Sequence, residues 1–174
     1  MNIKAKKEKG IRILSLDERS EYAAICAHWS YGQWDAKKGI SFDVNLLAYK
    51  DRAASKALTR VFVICVDSFP VGMVSVKEND MRSRLDLAPW LSALYVMPEY
   101  RESGLAERLI KHVEEYARSL GFAAIYLFID VSDELRLALY YEKRGWLYIG
   151  ESPDNDGFNA KVYKLNLQAK TGQG

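Results

Sequence analysis

The stretch Trp90-Leu91-Ser92-Ala93-Leu94-Tyr95-Val96-Met97-Pro98-Glu99-Tyr100-Arg101-Glu102-Ser103-Gly104-Leu105-Ala106 holds a strand, a turn and the start of a helix. Trp90–Val96 is apolar throughout except for Ser92, and Pro98 closes it because proline donates no hydrogen bond to a sheet ladder. Beyond the turn, Leu105, Leu109, Val113, Tyr116, Ala117 and Leu120 recur on one helical face. Glu107, Arg108, Lys111, Glu114, Glu115 and Arg118 cover the other. Glu107–Lys111 and Glu114–Arg118 have the favourable i,i+4 orientation, and Gly121 is placed to end the helix as a left-handed residue.

The turn itself, Arg101–Ala106, has the chemistry of an anion site. The first turn of a helix leaves backbone N–H groups without partners, and the aligned peptide dipoles favour negative charge there. Gly104 lets the backbone approach a ligand with no Cβ in the way, and Ala106 is small one turn in. Arg101 adds a charged fork suited to phosphate oxygens. A Walker A loop is excluded because no Lys-Ser or Lys-Thr follows a glycine here, and a GxGxxG dinucleotide fingerprint lacks its second and third glycines. An ordinary helix start fits the same hexapeptide.

Working outward, Ile11–Leu16 alternates like a strand, and Asp17 is expected to cap a helix in which Tyr22, Ala23, Cys26, Ala27 and Trp29 recur. Ser30–Ser41 reads as a loop, and a second helix is expected from Asp43 toward Ala57, with Leu46, Leu47, Lys50 and Ala54 in register. Val61–Val66 is a buried, β-branched strand, Asp67-Ser68-Phe69-Pro70 a turn, and Val71–Lys77 a further strand. A charged loop, Glu78 to Pro89, leads into Trp90–Val96. Ala123–Ile129 is apolar strand; a helix capped at Ser132, with Asp133 and Glu134 at its positive end and Lys143 and Arg144 at its negative end, stops at Gly145. Trp146–Ile149 and Ala160–Leu167 are the last strands. The order is β-α-α-β-β-β-α-β-α-β-β.

A chain of 174 residues suits one domain, and 49% hydrophobic with 28% charged residues describes a globular one. The expected division is a basic arm over 1–10 (Lys4, Lys6, Lys7, Lys9), one domain over 11–167 and a tail over 168–174. A net charge of +2 gives no basic face for nucleic acid. Cys26 and Cys65 lack CxxC spacing or a nearby His pair, which points to reduced thiols and no metal. With no secretion signal and no apolar run of the ~20 residues a bilayer requires, the reading is cytoplasmic, with no membrane partner.

Leu94-Tyr95-Val96-x-Pro98-x-Tyr100-Arg101-x-x-Gly104-x-Ala106 before an amphipathic helix resembles motif A of the GNAT superfamily of acyl-CoA-dependent N-acyltransferases. Leu139-Tyr140-Tyr141-Glu142-Lys143-x-Gly145-Trp146 is similar to the family's motif B. The element order matches the family fold along essentially the whole chain. The resemblance implies an α/β protein of the α+β type, with a mixed, mostly antiparallel central sheet flanked by helices and a splayed strand pair at the cofactor site. It implies an N-acetyltransferase that uses acetyl-CoA, with the backbone of Leu94, Tyr95 and Val96 holding the pantetheine arm and acyl carbonyl. Arg101, Glu102, Ser103, Gly104, Leu105 and Ala106 would hold the pyrophosphate, the Glu102 side chain pointing to solvent.

The implied reaction is direct attack of an amine on the thioester. The amine must be neutral to attack: a lysine, with a pKa of about 10.4, depends on a base more than an α-amine at about 7.7–8.0. Tyr141 aligns with the family's tyrosine acid, which protonates the leaving thiolate; Tyr140, about 100° round the helix, is the fallback. The family's asparagine six residues before the tyrosine is Leu135 here, so its hydrogen bond to the cofactor is either missing or supplied elsewhere, with Ser132 as a candidate. Trp90–Val96 carries no carboxylate, so a base is sought in Ser92 with a water and Glu78, Asp80, Asp86, Asp35 or His28. Neither His28 nor His112 has metal partners, and His112 reads as solvated. On the acceptor side, His28–Asp35 offers aromatics for a peptide or cationic amine, with Asp35 to pair with an ammonium. The acceptor is a small-molecule or protein amine, and a homodimer is compatible with the chain. A non-catalytic CoA-binding sensor or partner-binding module of the same fold, and transfer of a larger acyl group, are the competing functions.

Overall fold

The structure, a computed structural model, describes residues 10–55, 57–130 and 134–167. The expected arm (but for Gly10), tail and Ser132 cap lie outside them. Seven strands form a mixed sheet, and four α-helices accompany it: β1 (Ile11–Ser15), α1 (Ala23–Ser30), α2 (Phe42–Ala54), β2 (Arg60–Val66), β3 (Phe69–Lys77), β4 (Trp90–Val96), α3 (Leu105–Ser119), β5 (Ala124–Ile129), α4 (Glu134–Glu142), β6 (Leu147–Pro153) and β7 (Asn159–Asn166). The described residues gather in two compact units. The first runs up to Val76 and includes Ala93–His112; the second takes in Lys77–Ser92 and the described residues from Val113 on. The chains of β4 and α3 run through both.

In the first unit the strand order is β1-β2-β3-β4. β1 and β2 pair antiparallel, Ile13 opposite Ile64, and β2 pairs antiparallel with β3, Val63 opposite Met73. Alternation along β2 sorts its two faces. Val61, Val63 and Cys65 pack with Ala23, Cys26, Ala27, Trp29, Tyr49 and Ala53 of α1 and α2. Phe62 meets His112 of α3 edge to face at 4.5 Å, so His112 is half-buried against a ring rather than solvated. Both faces of β2 are therefore covered, which is why its sequence reads as a continuous apolar run.

Four expectations change in this unit. Asp17 caps no helix; it accepts a hydrogen bond from Ser15 Oγ and lies 3.7 Å from the Arg60 guanidinium, while α1 starts after a 3₁₀ turn at Ser20–Tyr22. The segment after α1 is no open loop, because the chain stays helical as a π turn over Tyr31–Asp35 and a 3₁₀ turn over Ala36–Lys38 until Gly39 turns left-handed at φ +70°. α2 is capped by Ser41, whose Oγ accepts from Val44 N. It buries Asn45, Tyr49 and Ala53, leaving Leu47 60% exposed: Asn45 Nδ2 donates to Ala27 O at 2.9 Å, and that bond selects the inward face. The hairpin turn is Asp67-Ser68 alone, both left-handed (φ +49° and +69°) as a two-residue hairpin requires, so Phe69 and Pro70 already belong to β3.

In the second unit the order is β4-β5-β7-β6. β4 and β5 run parallel with Trp90 opposite Tyr126, and β5 and β6 each pair antiparallel with β7. Trp90, fully buried, packs with Met81, Ala160 and Val162, and its Nε1 donates to Leu87 O at 2.8 Å. α3 and α4 end alike. Gly121 N donates to Arg118 O and Phe122 N to Ala117 O; Gly145 N donates to Glu142 O and Trp146 N to Tyr141 O. Both are Schellman closures, with the glycine at φ +86° and +85°. No helix among the described residues is long and apolar enough to cross a membrane.

Candidate active site

β4 delivers the chain to the turn with two departures from a regular strand. Ala93, in mid-strand, has φ +50°, a conformation costing a non-glycine residue about 1–2 kcal/mol. Such a residue interrupts the alternation of side chains, and beyond it Ala93, Tyr95 and Met97 pack toward the α1–α2 core. The second departure is a close approach. Gly72 of β3 lies so near β4 that a Cβ placed on it would be 2.6 Å from Tyr95 O and 3.3 Å from Val96 Cα. Met97 N donates to Val71 O at 2.9 Å and pins the strand end. Gly72 and Ala93 thus position the backbone of Leu94–Val96. Neither role shows in the hydrophobic pattern, although a glycine inside a β-branched strand is a signal of close backbone approach.

The turn is built from two left-handed residues, Glu102 at φ +60° and Gly104 at φ +80°. Backbone alternating in this manner turns successive N–H groups toward one concavity suited to an anion. Ser103 Oγ donates to Tyr100 O, and Gly104 O accepts the first helical bond, from Arg108 N at 3.1 Å. The Leu105 and Ala106 N–H groups therefore stand at the positive end of α3. A Cβ on Gly104 would meet nothing within 4 Å, so open space faces it. Glu102 is exposed. Arg101 does more than expected. Its Nε donates to Val96 O at 3.0 Å and its Cζ lies 6.0 Å from the Tyr95 ring centroid, tying the turn to the strand. The Nη nitrogens are the rest of the fork.

Tyr141 belongs to the second unit. Its ring is 7% exposed and meets Trp146 edge to face at 5.6 Å and Tyr140 at 5.2 Å. Burial, reinforced by Tyr140 and partly offset by Arg144, pushes its phenol well above the usual value of 10. Tyr140 is half-buried, and the Arg144 guanidinium lies over its ring at 3.6 Å.

The expected bases separate by their partners. Lys77 holds Asp80 at 2.6 Å, and Arg84 holds Asp86 through two hydrogen bonds that draw its carboxyl below the ordinary range. Asp86 is thereby a poor proton acceptor. Glu78 is exposed and Ser92 half-buried. His28 lines a cavity of about 500 Å³ with Glu21, Phe42, Phe69 and Met97. Asp35 accepts a hydrogen bond from Ser30 Oγ at 2.6 Å. Among the described residues no group of three or more His, Cys, Asp or Glu side chains could hold a metal.

A family model for GNAT acetyltransferases matches residues 13–146, well over half of the chain. The chain belongs to the GNAT acetyltransferase family. Solved structures agree in fold. An N-acetyltransferase from Staphylococcus aureus superposes with a TM-score of 0.67 at 18% identity, over 92% of this chain and 100% of that one. An aminoglycoside 6'-N-acetyltransferase complexed with coenzyme A gives 0.70 at 14% identity, over 92% and 99%. A protein of Salmonella typhimurium assigned to the acetyltransferases, with its cofactor acetyl-CoA, gives 0.68 at 17% identity, over 95% and 99%. No curated protein sequence matches the chain. Motif A of this GNAT chain is thus the strand, the left-handed turn and the start of α3. Motif B is the end of α4: in Tyr-Glu-x-x-Gly-Trp the first residue supplies the carbonyl, the glycine the left-handed turn, and the last the ring that packs back on the first.

Proposed function

We propose that this GNAT chain transfers the acetyl group of acetyl-CoA to a primary amine. The observation that carries the reading is the Glu102–Gly104 turn, two left-handed residues set at the positive end of α3 directly after β4. Arg101, Glu102, Ser103, Gly104, Leu105 and Ala106 hold the pyrophosphate, mostly through backbone N–H groups, so Glu102 carries no penalty while its carboxylate faces water. The backbone of Leu94, Tyr95 and Val96 holds the pantetheine arm and the acyl carbonyl. The coenzyme A and acetyl-CoA held by neighbours of the same fold support this choice of donor.

In the reaction the neutral amine nitrogen attacks the thioester carbonyl carbon, a C–N bond forms and the C–S bond breaks. The thiolate leaving group takes the Tyr141 hydroxyl proton, the amine gives up one proton to water, and water returns a proton to Tyr141, closing the balance. Burial keeps Tyr141 protonated at neutral pH, as a donor requires.

Calorimetry with acetyl-CoA and free-thiol release across a panel of amines test the proposal. Saturable binding and amine-dependent thiol release are expected; absence of binding would sink it, and binding with no release from any amine would favour a CoA sensor. Gly104 gives a finer test. Gly104→Ala costs about 1 kcal/mol through its left-handed φ. It also sets a methyl group in the space where the pyrophosphate approaches. Acetyl-CoA affinity should fall about tenfold, an effect of about 1.4 kcal/mol. Gly104→Asn, which tolerates the conformation, should recover stability but not affinity. Recovery of both would move the pyrophosphate elsewhere.

A further inference from the structure

The hydroxyl of a tyrosine lies on the axis of its own ring, so turning the ring about that axis leaves the oxygen in place. Its position is set by the backbone and by the first side-chain torsion, which rests in a staggered well. At Tyr141 one residue bears on both. Trp146 N donates to Tyr141 O at 3.2 Å, closing the end of α4 on the left-handed Gly145. The Trp146 ring then meets the Tyr141 ring edge to face, with 5.6 Å between centroids and 70° between planes. Tyr141 also meets Tyr140 at 5.2 Å, and Arg144 Nη1 donates to Tyr140 O at 2.9 Å. Tyr140 belongs to the same helix and moves with it. Trp146 comes from beyond the helix, directly before β6, and its side chain is buried in the core. Among the described residues the Tyr141 hydroxyl makes no hydrogen bond that would orient it, so its aim rests on ring packing. The Trp146 Nε1 is buried with no hydrogen-bond partner among the described residues, so replacing the indole breaks no hydrogen bond.

We propose that Trp146 is a positioning residue for acetyl transfer, its ring holding the Tyr141 hydroxyl where the leaving sulfur takes the proton. The inference rests on the acetyl-transfer reading and on Tyr141 as its acid. A proton donor must lie within hydrogen-bond reach of its acceptor, and a displacement of about 1 Å from that geometry can cost a hundredfold in rate. A change of rotamer at Tyr141 would carry the hydroxyl well beyond that distance. The buried indole closes off the flank it occupies and keeps the ring in one well. Trp146 therefore acts through Tyr141, and its effect exists only while the hydroxyl does.

The test is a double-mutant cycle on thiol release from acetyl-CoA, with the fastest amine of the panel as acceptor. Trp146→Leu and Trp146→Phe are each made in the wild type and in Tyr141→Phe. Both keep the backbone N–H that closes α4. In the wild type kcat should fall about tenfold with leucine and about threefold with phenylalanine, which keeps an aromatic edge against Tyr141. KM for acetyl-CoA should stay within error. In Tyr141→Phe neither substitution should lower kcat further, while each lowers Tm by the same amount in both backgrounds. An equal fall in kcat in both backgrounds, a rise in KM for acetyl-CoA that matches the fall, or a wild-type kcat indifferent to both substitutions overturns the assignment. If Trp146→Leu does not fold, the Trp146→Phe arm decides by the same criteria. Unaltered turnover in Tyr141→Phe, or thiol release from no amine, overturns the reading and this inference together. Turnover that needs Tyr141 and ignores Trp146 overturns this inference alone.

Discussion

Tyr141→Phe is expected to lower kcat by about a hundredfold or more, the range that one positioned acid supplies, while acetyl-CoA affinity and Tm stay within error. The substitution removes one oxygen and keeps the ring. The edge-to-face contact with Trp146 at 5.6 Å and the closure of α4, Trp146 N to Tyr141 O at 3.2 Å, use atoms that phenylalanine shares. Packing is thus unchanged and the assay isolates the hydroxyl. The pH dependence has a definite sign. A buried phenol whose pKa is raised stays protonated below its ordinary value of 10 and beyond it. Loss of the Tyr141 proton should therefore produce no falling limb in kcat up to pH 10. Unaltered turnover in Tyr141→Phe would reduce the residue to an anchor of α4 and make Tyr140→Phe the next measurement.

Gly72→Ala should be the most disruptive single methyl group in the first unit. Its Cβ would lie 2.6 Å from Tyr95 O and 3.2 Å from Ile64 Cγ2, inside the range that real contacts avoid. The nearest obstacle is backbone of a paired strand, which cannot rotate away as a side chain can. Overpacking of this kind costs about 1–3 kcal/mol. At about 2–4 °C per kcal/mol for a chain of this size, Tm should fall by several degrees. Relief by displacing β4 would move Tyr95 and Val96, the backbone proposed to hold the acyl arm. Acetyl-CoA affinity should therefore fall as well, by about tenfold on the scale of one lost hydrogen bond. Thermal melts and calorimetry on the same variant check both, and a normal Tm with normal affinity would show that the strands separate freely.

The strand, turn and helix from Trp90 to Ser119 were legible because each announces itself locally. Apolar composition marks β4, Pro98 its end, Gly104 the left-handed step, and the 3.6-residue period α3. Motif B was legible for the same reason, since Tyr141, Gly145 and Trp146 close one helix end within six residues. On α2, hydrophobicity pointed both Leu46 and Leu47 inward; Leu46 packs against the core, but the Asn45 bond to Ala27 O puts Asn45, Tyr49 and Ala53 innermost and leaves Leu47 exposed. The stretch after α1, expected to be a loop from its Gly32, Gly39 and polar residues, is helical up to Gly39, with Ser30 bonded to Asp35 across the π turn.

By itself, then, the sequence determined the order of elements, the family, the turn that opens α3 and the tyrosine at the end of α4. Only the tertiary structure decided that Gly72 sets the seat of β4, that Ala93 breaks its pleat, that Arg101 is tied to Val96 O, and that Ser30 Oγ donates to Asp35. The division has a physical cause. Periodicity and turn chemistry are set by neighbours along the chain. Close approach and hydrogen-bond partnership depend on residues tens of positions away, whose meeting leaves no periodic trace in either segment.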